Sequence, residues 1–480
     1  MIKRSSGILL HIVSLPGKYG IGCLGKDAFE FVDFLNKSGQ KLWQICPLSP
    51  TGYGNSPYSS YSAFAGNPLL IDIDEFTKET DDINFDDKEV EYDKVIEFKY
   101  KVMRQAFTTF SETDDYHKFV KEESYWLEDF SLFMALKNHF NNIAWNRWET
   151  PLKLREENAL LEFKKLLKNE IEFQKFLQFI FFQQWQKLRS YANSRGVQII
   201  GDMPIYVAAD SADAWSNPKL FLFDEDMNPT FVAGVPPDGF SPTGQLWGNP
   251  VYDWDYCEDT DFEWWKLRFT SAFKLYDILR IDHFIGFENY WAVPFGNDTA
   301  ELGSWQKAKG RQLFQKLKEE FPDLPIIAED LGLLTDDVRK LRDDFGFPGM
   351  KVLQFAFYDG MKSDFLPHNF TENCVVYTGT HDNEITRSWY DNLPDEPKNF
   401  MNEYMKYDGK DISFKLIKLA WESRTDVAIA PMQDFLDLDN KARFNSPGTI
   451  EGNWQWRVIK EQLSNQLAEK IKALTLQSNR

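Results

Sequence analysis

Three short stretches of the chain each run from apolar residues into an acid: Ile278-Leu279-Arg280-Ile281-Asp282-His283, Pro325-Ile326-Ile327-Ala328-Glu329-Asp330-Leu331-Gly332, and Val375-Val376-Tyr377-Thr378-Gly379-Thr380-His381-Asp382-Asn383-Glu384. Each has the pattern of a buried parallel strand that breaks into polar residues at its C-terminal end. In α/β barrels that end of the strand carries the chemistry. Asp282, Glu329 and Asp382 delivered to one rim make a carboxylate set, and glycosyl transfer is the leading reaction for such a set.

Each acid has a second reading. Arg280 and Asp282 are two apart in a strand and face the same side. A guanidinium there lowers the carboxyl pKa by roughly 1–3 units, which suits an ionised nucleophile and equally a structural ion pair inside a barrel. Glu329 ends an apolar run, where burial and nearby acids push a carboxyl toward its protonated form, as a general acid requires. It fits the N-cap of a following turn as well, and Asp330 should face away from it. His381-Asp382-Asn383-Glu384 contains metal-ligand residue types, but the six histidines are scattered and supply no matching cluster. His381 and Asp382 are therefore read as groups that hydrogen-bond sugar hydroxyls, and no metal or cofactor is expected. The intervals from Asp282 to Glu329 and from Glu329 to Asp382 are similar, and read as one βα-type spacing repeated.

Gly20-Ile21-Gly22-Cys23-Leu24-Gly25 is a literal GxGxxG. A dinucleotide fold also needs an acid roughly 20 residues further on to hold the ribose. After Asp33 the next acid is Asp72, so these glycines read as a tight packing loop and the nicotinamide reading falls. No GxxxxGK[ST] or HExxH motif occurs.

The elements that must position these groups alternate between strand-like and helical texture. Strand-like runs at 41–48, 197–202, 278–284, 325–330, 351–357, 374–378 and 427–431, with helix-like sequence between most of them, predict βα units and a parallel sheet. The fold class is α/β, a (β/α)8 barrel spanning 1–480 as a single catalytic domain. Two interruptions break it. From about 76 to 195 the texture is helical, with Phe173, Phe176, Leu177, Ile180, Phe181 and Trp185 as one apolar stripe and Gly196 as a helix stop. From about 208 to 260 lies a long Pro-, Gly- and Trp-rich loop, too aromatic for disorder, read as an active-site loop.

Composition narrows the partners. With 54 basic against 74 acidic residues the formal net charge is −20, which disfavours nucleic acid and anionic membranes but not a neutral ligand. Aromatic residues are 16% of the chain, more than a core needs, and flat rings suit sugars. The four cysteines form no CxxC pair and read as free thiols of a reducing compartment, Cys23 to Cys46 being the one spacing a disulfide could close. His11 and Pro16 interrupt the apolar run after Lys3-Arg4, and no small-residue cleavage site follows. No stretch approaches the roughly 20 apolar residues of a membrane span. A cytoplasmic protein is expected.

The chain resembles the 4-α-glucanotransferases (amylomaltases, or disproportionating enzymes) of glycoside hydrolase family 77. The likeness runs from Gly7-Ile8-Leu9-Leu10-His11 and Ser14-Leu15-Pro16-Gly17, through Pro50-Thr51-Gly52-Tyr53-Gly54-Asn55-Ser56-Pro57-Tyr58, Gly201-Asp202-Met203-Pro204-Ile205-Tyr206-Val207, Val232-Ala233-Gly234-Val235-Pro236-Pro237-Asp238 and Gly244-Gln245-Leu246-Trp247-Gly248-Asn249-Pro250, to Gly452-Asn453-Trp454-Gln455-Trp456-Arg457. It implies Asp282 as nucleophile, Glu329 as acid/base and Asp382 as the carboxylate that stabilises the transition state. It implies a donor subsite lined by Tyr58, Asp202, Arg280 and His381. Asp238 and Trp247 match the loop arching over the family's active site, and Tyr53 a secondary glucan site of some members. The substrates implied are α-1,4-glucans: maltodextrins, amylose and a glucose acceptor. Two positions depart from the pattern: His11-Ile12-Val13 where His-Pro-Thr is expected, and Ile285 where many members have Arg. Retention of configuration requires the two working carboxyls to lie roughly 5–5.5 Å apart. The rival readings are a hydrolase or branching enzyme on the same barrel, and a non-catalytic glucan-binding protein.

Overall fold

The computed structural model describes residues 3–77, 83–238, 241–332, 334–449 and 451–480. Among the described residues, twelve strands follow in chain order: β1 (Ser5–Leu9), β2 (Leu42–Gln44), β3 (Gln198–Pro204), β4 (Phe231–Val235), β5 (Gln245–Pro250), β6 (Ile278–Asp282), β7 (Asn289–Pro294), β8 (Ser304–Lys307), β9 (Ile326–Ala328), β10 (Gly349–Val352), β11 (Cys374–Tyr377) and β12 (Val427–Pro431). Eight of them close into a parallel barrel in the order β1-β12-β11-β10-β9-β6-β3-β2. Their near-continuous Val, Ile and Leu content follows from burial on both faces, by the barrel interior and by the surrounding helices. The (β/α)8 architecture expected from the sequence is therefore the one observed.

Between β2 and β3 the chain leaves the barrel and builds helices over Tyr92–Thr109, Asp114–Glu122, Ser124–His139, Glu157–Leu166 and Lys168–Ser194. The stripe from Phe173 to Trp185 is buried throughout, so the helical period reads its packing face directly. Gly196 follows at φ +73°, a left-handed position that a side chain would strain. The GxGxxG segment is a packing loop, since a Cβ on Gly22 would sit 1.9 Å from the Ile12 carbonyl oxygen.

Three details differ from the sequence expectation. The stretch 208–260 is not simply a loop: it carries β4 and β5, which pair with β7 and β8 in an antiparallel sheet ordered β5-β4-β7-β8. That sheet has a small core of its own, Val232, Val293 and Ala300, with Leu246 and Trp291 packed against it. Its strands are short and its second half lies beyond β6, so no local alternation announces it. The similar intervals between the three acids are also not one repeat. The first contains β7 and β8, whereas the second contains β10, a full barrel strand. Finally, the run at 351–357 is strand only to Val352 before turning into a 3-10 segment, Leu353–Phe355. The four cysteines are buried free thiols, Cys23 and Cys46 included. No described helix is long and apolar enough to cross a membrane.

Candidate active site

Strand register brings the acids together. Asp202 on β3 pairs with Arg280 on β6, and Ile281 pairs with Ala328 on β9, so Asp282 and Glu329 leave adjacent strands side by side. The Glu329 N–H donates to the Ile281 carbonyl at 3.0 Å, extending the ladder one step past the strand end. Asp382 arrives from the turn after β11, and Tyr58 from the loop after β2.

Arg280 is the electrostatic centre. Its Nη1 donates to both oxygens of Asp202 (2.8 and 2.7 Å) and to Asp282 Oδ1 at 3.0 Å. Arg280 and Asp202 are buried, whereas Asp282 opens toward the rim. Burial pushes the Asp202 carboxyl up against the pull of Arg280. The Tyr58 hydroxyl donates to Asp202 Oδ2 at 2.8 Å. Its ring stacks on His381 with centroids 4.8 Å apart, and Trp454 packs on both at 5.8 Å.

Glu329 accepts two backbone N–H groups, from His283 at 2.7 Å and Leu331 at 3.1 Å. His283 holds a left-handed backbone, φ +53°, at the point where the chain turns from β6 onto Glu329. Burial, reinforced by the Asp282 charge, lifts the Glu329 carboxyl to about 8 against the opposing pull of Arg280 and the two N–H groups. Burial also lowers His283 to about 4, so its imidazole is neutral at neutral pH. Asp330 faces away, as expected, accepting the Met350 N–H at 2.8 Å and pairing with Arg342.

Asp382 has the opposite electrostatics. Burial raises its carboxyl, but the His381 imidazole 3.2 Å away and the Asn445 amide 2.6 Å away outweigh burial and hold it well below the usual carboxylate range. His381 responds in kind: burial lowers it, and Asp382 more than restores it. Two carboxyls are thus driven apart, Glu329 toward its acid and Asp382 toward its anion, which is the pattern that separates acid from charge stabiliser.

Trp247 on β5 sets its ring edge-to-face with His283, centroids 4.7 Å apart. A cleft of about 280 Å³ runs between Tyr58 and Trp247. Asp238 closes a turn after β4 in which its Oδ1 accepts the Ser241 N–H at 2.7 Å. Tyr53 begins a 3-10 turn, Tyr53–Asn55, and its side chain lies outside the described residues. Four further residues shape the site without having been assigned a role from the sequence. Asn445 and Arg443 grip Asp382, Arg443 through the main-chain oxygen at 2.5 Å. His283 orients Glu329, and Trp454 floors the Tyr58–His381 stack. The motif Gly452-Asn453-Trp454-Gln455-Trp456-Arg457 pointed to that last segment without giving Trp454 a role. Ile285 is buried, and the departure at Ile12-Val13 lies in the core.

A closed parallel barrel with a carboxylate set on its C-terminal rim is an arrangement that enzymes working on glycosidic bonds use. The chain belongs to glycoside hydrolase family 77, whose model, described as 4-alpha-glucanotransferase, matches residues 10–462. It is 49% identical to the 4-alpha-glucanotransferase of Clostridium butyricum over 97% of this chain and 99% of that one. To the enzyme of the same name from Thermus thermophilus it is 46% identical, with 98% of each chain covered. Among solved structures it superposes on the amylomaltase from Streptococcus agalactiae in complex with acarbose, at a TM-score of 0.97 and 44% identity over the whole of both chains. Its reaction is 4-α-glucanotransfer.

Proposed function

We propose that Asp282 is the nucleophile of a retaining double displacement, Glu329 its acid/base and Asp382 its charge stabiliser. The carboxylate oxygen of Asp282 attacks the anomeric carbon of an α-1,4-glucan. The C1–O4 bond breaks as Glu329 gives its proton to the departing oxygen, leaving a glycosyl ester on Asp282. In the second half the 4-hydroxyl of an acceptor, glucose or a maltodextrin, attacks the same carbon. Glu329 takes the hydroxyl proton and the ester bond breaks. Esterification removes the Asp282 charge that helps hold Glu329 high, so its pKa falls and it stays ionised, free to take the acceptor's proton.

The observation that carries this reading is the Arg280 bridge. One guanidinium nitrogen touches Asp282 at 3.0 Å and Asp202 at 2.7 Å, beside a Glu329 held protonated. Tyr58, Asp202, Arg280 and His381 then line the donor subsite, with Asp382 aimed at hydroxyls of the distorted ring, a contact that strengthens in the transition state. Asp238 and Trp247 belong to the loop over the site and Tyr53 to a secondary glucan site, and Trp247 keeps water from the ester and lets a sugar hydroxyl compete. Four buried free thiols support a reducing, cytoplasmic setting.

Maltotriose tests the reading. Wild type should yield glucose and a ladder of longer maltodextrins, and Asp282→Asn should lose about 10⁴-fold or more in turnover. Near-normal turnover in that variant refutes the nucleophile; glucose and maltose without a ladder refute transfer.

A further inference from the structure

A second concavity, of about 520 Å³, opens between the helices Ser124–His139, Ala212–Ser216 and Glu263–Leu275, and none of the three acids lines it. Its size falls within the roughly 300–1,000 Å³ of small-ligand sites. The walls are aromatic and organised around Phe64: Tyr125 and Trp264 meet its ring edge-on at 5.8 and 6.0 Å, and Trp126 lies parallel to it at 6.5 Å. Tyr125 stands at the mouth, 38% exposed. Trp264 is 7% exposed, and its indole nitrogen is buried without a hydrogen-bond partner among the described residues.

The polar lining selects the ligand. Asp129, Asp213 and Glu263 line the cavity with one lysine, Lys219; Asp129 is paired with Arg155 at 2.7 Å and Asp213 accepts the Ala63 N–H at 2.8 Å, so the lining offers hydrogen-bond acceptors and no cluster of free cations to hold an anion. Flat rings beside hydrogen-bond acceptors suit a neutral molecule with apolar faces and many hydroxyl donors, which describes a glucosyl unit. The cavity is also tied to the donor side: the loop that supplies Tyr58 to Asp202 continues to Ser62 and Phe64 in this wall.

We propose that this cavity binds a stretch of α-1,4-glucan distant from the bond being transferred, anchoring long chains while their ends are exchanged. The proposal rests on the glucan chemistry above. Anchoring raises the effective concentration of the chain at the catalytic rim without a new contact to the reacting sugar. Only long substrates gain from it.

The test uses the full-length protein with two variants, Tyr125→Ala, which removes the mouth, and Ser216→Trp, which fills the cavity. In native gels containing amylose, wild type should be retarded and both variants should run faster. KM for amylose should rise about tenfold, the loss of one good stacking contact, while kcat and KM for maltotriose stay at wild-type values. Unchanged retardation in both variants overturns the proposal, as does a shift of maltotriose kinetics in step with amylose. Relief of retardation by tetramethylammonium but not by maltohexaose assigns the cavity to organic cations and overturns it too. A wild type inactive on maltotriose but still retarded sinks the catalytic reading and leaves this one standing.

Discussion

Replacing Glu329 with Gln keeps the size of the side chain and removes its titration. Burial, helped by Asp282, lifts this carboxyl from the ordinary 4.5 to about 8. The folded protein therefore holds the proton more tightly than the unfolded chain does. That contribution to stability is complete below about pH 4.5 and is lost as the pH rises through about 8. Full conversion of the difference gives at most about 5 kcal/mol at 1.36 kcal/mol per pH unit. Water at the open rim screens it, leaving on the order of 1–3 kcal/mol. Gln has no such dependence, but its NH2 must face one of the two backbone N–H groups now aimed at the carboxyl, a constant loss of about 1 kcal/mol. The variant should thus melt below wild type at pH 5 and level with it or above it at pH 9. In a chain of this length each kcal/mol moves the melting temperature by roughly 1 °C, because unfolding entropy grows with residue count. Scanning fluorimetry across that range should show the gap closing by about 1–3 °C. A gap that stays constant would refute the desolvated carboxyl and the general-acid argument built on it. In the same buffers, wild-type maltotriose turnover should fall above about pH 8, where the donor step loses its proton, and the variant should lose about 10²–10⁴-fold throughout.

Arg280→Ala leaves Asp202 buried without its cation and should destabilise the protein by about 3–5 kcal/mol, along with a large loss of turnover. Wild-type unfolding in denaturant would show that the bridge holds nothing. Trp247→Ala uncovers His283 and the ester beside it, so the share of maltotriose ending as hydrolysis products should rise while Asp282 chemistry continues. An unchanged ratio of hydrolysis to transfer removes Trp247 from the exclusion of water.

Much of the barrel was legible because parallel strands buried on both faces write themselves as near-continuous apolar runs: β9, β11 and β12 do so, and β6 does apart from Arg280. Asp282 and Glu329 were legible for the same reason, each standing where such a run stops. The antiparallel sheet was not, since β8 is exposed along its whole length and β4 finds its partners on either side of a barrel strand. Asn445 and Arg443 were invisible for a different reason. Nothing in their neighbourhood is periodic, and their importance comes entirely from what they touch far back in the chain. His283 was hidden by its backbone: a left-handed residue after a strand has no compositional mark unless it is glycine or asparagine.

Tyr58 meets His381 across 323 residues and Asp382 meets Asn445 across 63. The site is therefore assembled from segments far apart in the chain, and ordering them carries the entropy of closing the long loops between them. A chain cut before Asn445 lacks the amide that grips Asp382, so the rim is complete only with the C-terminal segment in place.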